Sequence, residues 1–299
     1  MRSYLLLLAI GLLWGSQFIF MHQAVAELPP IMVAAGRALC GSLILGLLCL
    51  FMRLKSEHTP WRTYMLIALM DATMPFIMVA WGQQHVDSAT TAVLMGCIPF
   101  VTILAAPLFI AGERITKSGL LSVIIGFAGV LTLFWPNLSQ GMNAGLMGAI
   151  GILFGASCFA IGLLMIKRFA KDHPVVVARN ILLCAATQLL IATPFITDLS
   201  TLTMPSGQAL SAMIVLGSLC TGLVYFLYMV LIQKAGPTFA SLSNYLVPLF
   251  GVMLGALFLG EQIHPTTGIA LALILGSVAM NQWAQQRRMQ RESSLCQAS

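Results

Sequence analysis

The stretch Ala9-Ile10-Gly11-Leu12-Leu13-Trp14-Gly15 recurs 140 residues later as Ala149-Ile150-Gly151-Ile152-Leu153-Phe154-Gly155, with only like-for-like replacements. A second pair of landmarks closes each copy: Pro99 before Gly112-Glu113, and Pro248 before Gly260-Glu261. The chain therefore reads as one apolar unit written twice, over residues 1–137 and 145–283, with a polar tail at 284–299. Each copy holds five membrane-length stretches. An odd number inverts the second copy in the bilayer, and inverted copies around a midplane site are the build of an alternating-access carrier.

Composition sets the class. Of 299 residues, 59% are hydrophobic and 8% charged, against about 25% charged in a soluble domain. The fold class expected is all-α integral membrane, with ten transmembrane helices in two inverted five-helix repeats. A bilayer core needs about 20 helical residues. Ten stretches qualify: 4–21, 31–52, 63–81, 89–110, 118–135, 145–166, 175–196, 209–232, 238–259 and 266–283. The tail from Ala284 to Ser299 is expected to lack regular structure. A signal peptide is the competing reading of the first stretch, with Arg2, an apolar core and Ala24-Val25-Ala26. Cleavage there would break the repeat.

Charge placement agrees with ten spans. With the N-terminus inside, the inner connections hold thirteen of the fifteen Lys and Arg, and the outer connections hold none. The other two, Arg37 and Arg179, fall within spans two and seven. This positive-inside pattern places both termini of a multi-pass chain in the cytoplasm, and the short connections with no transit peptide lead to the expectation of a bacterial inner membrane. Trp61, Trp81, Trp135 and Trp283 mark span ends as interfacial residues do; Trp14 lies mid-span. Seven cysteines show neither a disulfide framework nor metal spacing.

Trp14-Gly15-Ser16 in the first span, Arg37 and Arg179 in spans two and seven, and the Pro…Gly-Glu endings of spans four and nine together resemble the EamA family of the drug/metabolite transporter superfamily, over about residues 5–283. The spacing departs by one residue between Pro99–Glu113 and Pro248–Glu261. The resemblance implies a ten-helix secondary transporter, usually an exporter of amino acids or other small metabolites, with a cavity between the repeats. It implies no particular substrate.

The candidate substrate-binding residues are Trp14, Gln17, Asp71, Tyr225, Ser243 and Asn244. Asp71 lies midway along span three, where an acid costs about 2.5–3.5 kcal/mol on insertion scales. Its counterpart in the second copy is Cys220, so the repeat itself does not demand an acid. Asp71 is either a substrate-ammonium contact or proton site, or an acid tied to Arg37 or a nearby hydroxyl. Ser218, Thr221, Tyr225 and Tyr228 recur at steps of three or four and form one face of span eight. Such polar groups in lipid either join helices or line a cavity.

Asp71, Glu113, Glu261 and Arg37 are the proton or gate candidates. Glu113 and Glu261 stand at helix C-termini, where the dipole disfavours an anion, so each should have a donor. Arg114 or Lys117 is expected for Glu113, and His264 for Glu261. Arg37 is either part of the scaffold common to both repeats or a contact for a substrate carboxylate. Pro99 and Pro248 are the hinge candidates, each removing a helical hydrogen bond. Small residues at Ser118, Ser122, Gly126, Gly268, Ala272 and Gly276 allow close packing of spans five and ten, within the chain or in a homodimer.

No nucleotide-binding Gly-x-x-x-x-Gly-Lys-Ser/Thr run is present, so a gradient would drive transport. No cofactor or metal is expected, and no nucleic-acid partner; the partners are a small-molecule substrate and the lipid bilayer. The five histidines stand near span ends or in connections, which argues against an embedded enzyme. The alternative, a channel-like or facilitative pore, would want a continuous polar lining.

Overall fold

The computed structural model describes residues 2–298 other than 57, 139–143, 199, 201, 203, 236 and 241, and it describes no side chain at 2, 134–138, 237–238 or 285–298. The side chains of Trp135, Arg287, Arg288, Arg291 and Cys296 and most of the 136–144 connection therefore lie outside the described residues.

The described chain is helical. In order run α1 (Arg2–Val25), α2 (Pro30–Phe51), α3 (Trp61–Gly82), α4 (Ser88–Phe109), α5 (Lys117–Leu138), α6 (Ala144–Phe169), α7 (Pro174–Ile196), α8 (Gly207–Ala235), α9 (Ser243–Leu259) and α10 (Pro265–Ala298). Among the described residues, eight helices are long and apolar enough to cross a membrane, with Lys117–Leu133 and Ser243–Leu259 as shorter apolar helices. Pro30 and Pro174 stand in first helical turns, where the missing N–H costs nothing and the fixed φ suits the helix. The tail expected to lack structure continues α10 as helix to Ala298. It holds no Gly or Pro after Gly276 and is rich in Ala, Gln, Arg and Met, all good helix formers.

Helices pair across the halves: α2 with α7, α5 with α10, α1 with α8 and α9, and α6 with α3 and α4. The first-copy glycines Gly11 and Gly15 seat against Leu246 and Phe250 of α9, whereas Gly151 and Gly155 seat against Trp81 and Met78 of α3. Small residues of α5 are taken up inside the chain. Ser122 Oγ donates to the Ser277 carbonyl at 2.7 Å, and Gly126 lies under the Phe100 ring. Gly268 and Gly276 of α10 have no described atom within 4 Å of where a Cβ would stand.

Two helices carry a wide π turn, at Leu69–Thr73 in α3 and Ser218–Leu223 in α8. Asp71 sits in the first and Cys220 in the second. Each turn inserts one residue into the helix and rotates the face presented by the next turns, a feature frequent at functional sites. The hydrogen bond of Thr221 Oγ1 to the Leu216 carbonyl five residues back, at 2.9 Å, comes from the widened turn.

Candidate functional site

A cavity of about 390 Å³ lies between the halves. Its walls come from α1 (Trp14, Gln17, Phe18, Met21), α2 (Arg37), α3 (Phe76, Val79), α4 (Met95, Pro99, Thr102), α6 (Phe159), α8 (Tyr225), α9 (Asn244, Pro248) and α10 (Val278, Asn281, Gln282). Of the binding candidates, the structure brings Trp14, Gln17, Tyr225 and Asn244 together on it, along with Arg37, Pro99 and Pro248. Asp71 and Ser243 do not line it. Sequence reading misses Asn281 and Gln282, because the end of span ten passes as an interfacial belt before Trp283, and it misses Thr102, a lone hydroxyl in the apolar run of span four. The signal is there in the two amides preceding that tryptophan.

Arg37 is 7% exposed. Its Nε donates to Thr221 Oγ1 at 2.8 Å and its Nη2 to Gln17 Oε1 at 2.7 Å, while the guanidinium stands 4.1 Å above the centre of the Phe76 ring. The wide turn of α8 presents Thr221 to it. Close approach of α2 and α8 makes this possible: a Cβ on Gly217 would lie 2.8 Å from the Arg37 carbonyl, and one on Gly222 3.2 Å from that of Gly41. Trp14 meets Tyr225 edge-on at 6.0 Å and tilts against Tyr228 at 5.1 Å between ring centres, a favoured aromatic geometry. Of the polar face expected on α8, Tyr225 reaches the cavity, Thr221 serves Arg37, and Ser218 Oγ donates back to the Ile214 carbonyl at 2.6 Å.

Asp71 is not tied to Arg37. It is 4% exposed, and its Oδ1 has no hydrogen-bond partner among the described residues. Gly162 of α6 is what gives it room: a Cβ there would stand 2.5 Å from Asp71 Cα. Ser243 Oγ is likewise buried without a partner among the described residues. Arg179, the repeat counterpart of Arg37, does not reach the cavity; its Nε and Nη2 donate to Asn180 Oδ1 at 2.9 and 2.7 Å, and Asn180 Nδ2 donates to Ser56 Oγ.

The prolines differ in placement. Pro99 does not interrupt a helix: α4 breaks before it, into Ser88–Met95 and Ile98–Phe109, and Pro99 stands in the first turn of the second piece. Pro248 lies inside α9. A helical turn at Pro237–Ala240 precedes α9.

Carboxylates tie helix starts across the halves. Gly112 and Gly260, at φ 85° and 67°, turn the chain through the left-handed region before each glutamate. Glu261 does not meet His264. Its Oε1 and Oε2 accept the backbone N–H groups of Ser88 and Ala89 at 2.8 and 2.9 Å, capping α4. Negative charge is favoured there by the unpaired amides and the helix dipole. Glu27 accepts the N–H and Oγ–H of Ser206, the residue that caps α8, both at 2.7 Å. Those bonds hold the Glu27 carboxyl below its usual range. Near the start of α3, Asp172 accepts the N–H groups of His58 and Thr59 at 3.0 and 3.1 Å and the Tyr64 hydroxyl at 2.6 Å. Sequence reading passes over Asp172, although Asp-His-Pro before an apolar run is a helix-start signature. Glu113 meets neither Arg114 nor Lys117; its Oε1 lies 3.9 Å from Lys167 Nζ, with both side chains half-exposed.

Comparison with known proteins places these features. The model of the EamA-like transporter family matches residues 1–135 and again 146–282. The uncharacterized inner membrane transporter YedA of Escherichia coli K12 is 28% identical, over 92% of this chain and 88% of its own. The uncharacterized transporter YoaV of Bacillus subtilis is 23% identical over 94% and 97%, and the chloroplastic WAT1-related protein At3g02690 of Arabidopsis thaliana 26% over 89% and 66%. A solved crystal structure of a protein 18% identical superimposes with a TM-score of 0.70, over 96% of this chain and 98% of that one. A helical membrane architecture, and a family model matched once in each half, make this chain a transmembrane member of the EamA-like transporter family.

Proposed function

We propose that this transporter is a secondary active carrier of small metabolites. It works by alternating access between two inverted five-helix repeats in a bacterial inner membrane, with both termini cytoplasmic, and export is its direction of work. The observation that carries this reading is an asymmetry among the cross-half carboxylates. Glu27 at α8 and Asp172 at α3 make matching ties in opposite halves. Glu261 caps α4. The equivalent tie would place Glu113 on the backbone N–H groups of Thr238 and Phe239, since Pro237 at the head of the Pro237–Ala240 turn has none, and Glu113 instead faces Lys167.

The cavity lining reaches Asn244, in the first turn of α9 next to that untied turn, together with Asn281 and Gln282. At the tied end Gly251 packs on Ala92 and Phe18, and Gln83 Nε2 donates to the Phe18 carbonyl at 3.2 Å. In the proposed cycle the structure is the inward-open form. Closure brings the Pro237–Ala240 turn ahead of α9 to Glu113, with Pro248 and the break before Pro99 as hinges, and releases Glu261 from α4. Trp14, Gln17, Tyr225 and Asn244 hold substrate, and Asp71 acts from behind the wall as a coupling group.

The test is a disulfide between Arg114→Cys and Thr238→Cys in proteoliposomes. The reading requires that oxidation stop exchange and that reductant restore it. Exchange indifferent to a formed cross-link contradicts it, and unsaturable ion-like flux would point to the pore alternative.

A further inference from the structure

Resting on that transport reading, we infer that the cavity selects small organic anions, a carboxylate on an apolar or aromatic body without an ammonium group, and that Arg37 is the anchor. Arg37 is the one charged residue among the described cavity walls. Its Nε–H and one Nη2–H are committed to Thr221 and Gln17, and its three other N–H groups have no acceptor among the described residues. A guanidinium carries five donors in a planar fork that matches a carboxylate bidentately.

No carboxylate shares the described cavity walls to compensate it. Asp71, the acid that a substrate ammonium would need, lies off the wall. An unpaired buried charge is costly to a protein, and an arriving anion relieves that cost where an arriving cation adds repulsion. Gln17 and Phe76 hold the guanidinium from two sides, which fixes its fork before substrate arrives. Four aromatic rings share the cavity wall, Trp14, Phe18, Phe76 and Tyr225, with Phe76 directly under the guanidinium. A volume of about 390 Å³ falls at the low end of ligand pockets, about 300–1,000 Å³, and suits a single-ring acid.

The experiment uses three compounds that share one ring and differ in charge: 3-phenylpropionate, phenylalanine and 2-phenylethylamine. Calorimetric titration of the purified full chain should rank them in that order, with at least tenfold between the first and the last. Arg37→Gln should bring the three within about twofold, and Arg37→Lys should keep the order. Tighter or equal binding of the amine, no binding of 3-phenylpropionate, or a preference that survives Arg37→Gln would overturn the inference. Should Arg37→Gln fail to fold, the wild-type ranking decides alone. Counterflow of the same compounds separates the two claims. An anion that binds but is never exchanged sinks the transport reading and leaves the anion site standing. An amine exchanged in place of the anion does the reverse.

Discussion

Glu261 caps the first turn of a helix that begins 173 residues before it, with its Oε1 2.8 Å from the Ser88 amide. The carboxylate completes two otherwise unpaired helix-start donors and joins the end of α9 to the start of α4. Hydrogen bonds to a charged group are worth about 1.5–3 kcal/mol each. Glu113, half-exposed and 3.9 Å from Lys167, makes a surface pair worth about 0–1 kcal/mol.

Glu261→Gln should therefore lower the melting temperature of the detergent-purified protein by several degrees, and Glu113→Gln should leave it nearly unchanged. In exchange assays both should slow turnover, because in the proposed cycle each glutamate serves one end. Equal thermal effects would remove the asymmetry on which the inward-open assignment rests.

Glu27 yields a pH dependence. Its two bonds from Ser206 lower the carboxyl pKa in the folded chain. A depressed folded value means that the stabilisation is complete above the ordinary glutamate range and fades as pH falls toward and through the lowered value. Melting curves of wild type and Glu27→Gln should differ at neutral pH and converge in acid. A gap that widens on acidification would contradict the sign.

Gly162 sets the distance between α6 and the wide turn of α3. A Cβ there would meet the Asp71 backbone at 2.5 Å from Cα and 2.7 Å from N, and backbone cannot swing aside. Gly162→Ala should cost about 1–3 kcal/mol, the range typical of overpacking, or more. Gly276→Ala, with nothing described within 4 Å, should be neutral or slightly stabilising through helix propensity. Thermal melts of the two variants side by side make the check.

Asp71 has a different signature. Its Oδ1 lacks a partner among the described residues, so Asp71→Asn breaks no described tie and should leave folded protein in the membrane with an unchanged melting temperature. Its expected defect is in exchange and in the dependence of exchange on external pH. Wild-type rates across pH in that variant would remove Asp71 from the coupling role.

Much of the fold is legible in the chain because lipid imposes simple rules. Stretches expected at 31–52, 63–81 and 175–196 meet Pro30–Phe51, Trp61–Gly82 and Pro174–Ile196 within two residues, since hydropathy and first-turn prolines mark helix ends. The cavity residues Trp14, Gln17, Tyr225 and Asn244 stand out as amphipathic groups away from interfaces. Partnerships are not legible. Glu261 binds backbone amides, which have no sequence signature, and the partner of Glu113 is 54 positions away. Mid-span depth makes Asp71 a candidate for the cavity or for a structural tie, but depth fixes height in the bilayer and says nothing of azimuth. The π turn at Leu69–Thr73 then removes the regular 3.6-residue phase from which a face could be read.

In the proposed transport cycle one cavity is reached from each side of the membrane in turn. Met95 lines it and is partly buried. Met95→Cys, in a chain whose seven native cysteines are replaced, should react with a membrane-impermeant thiol reagent both in right-side-out and in inside-out vesicles. Reaction from the cytoplasmic side should disappear once Arg114→Cys and Thr238→Cys are cross-linked. Labelling confined to one side under every condition would contradict alternating access.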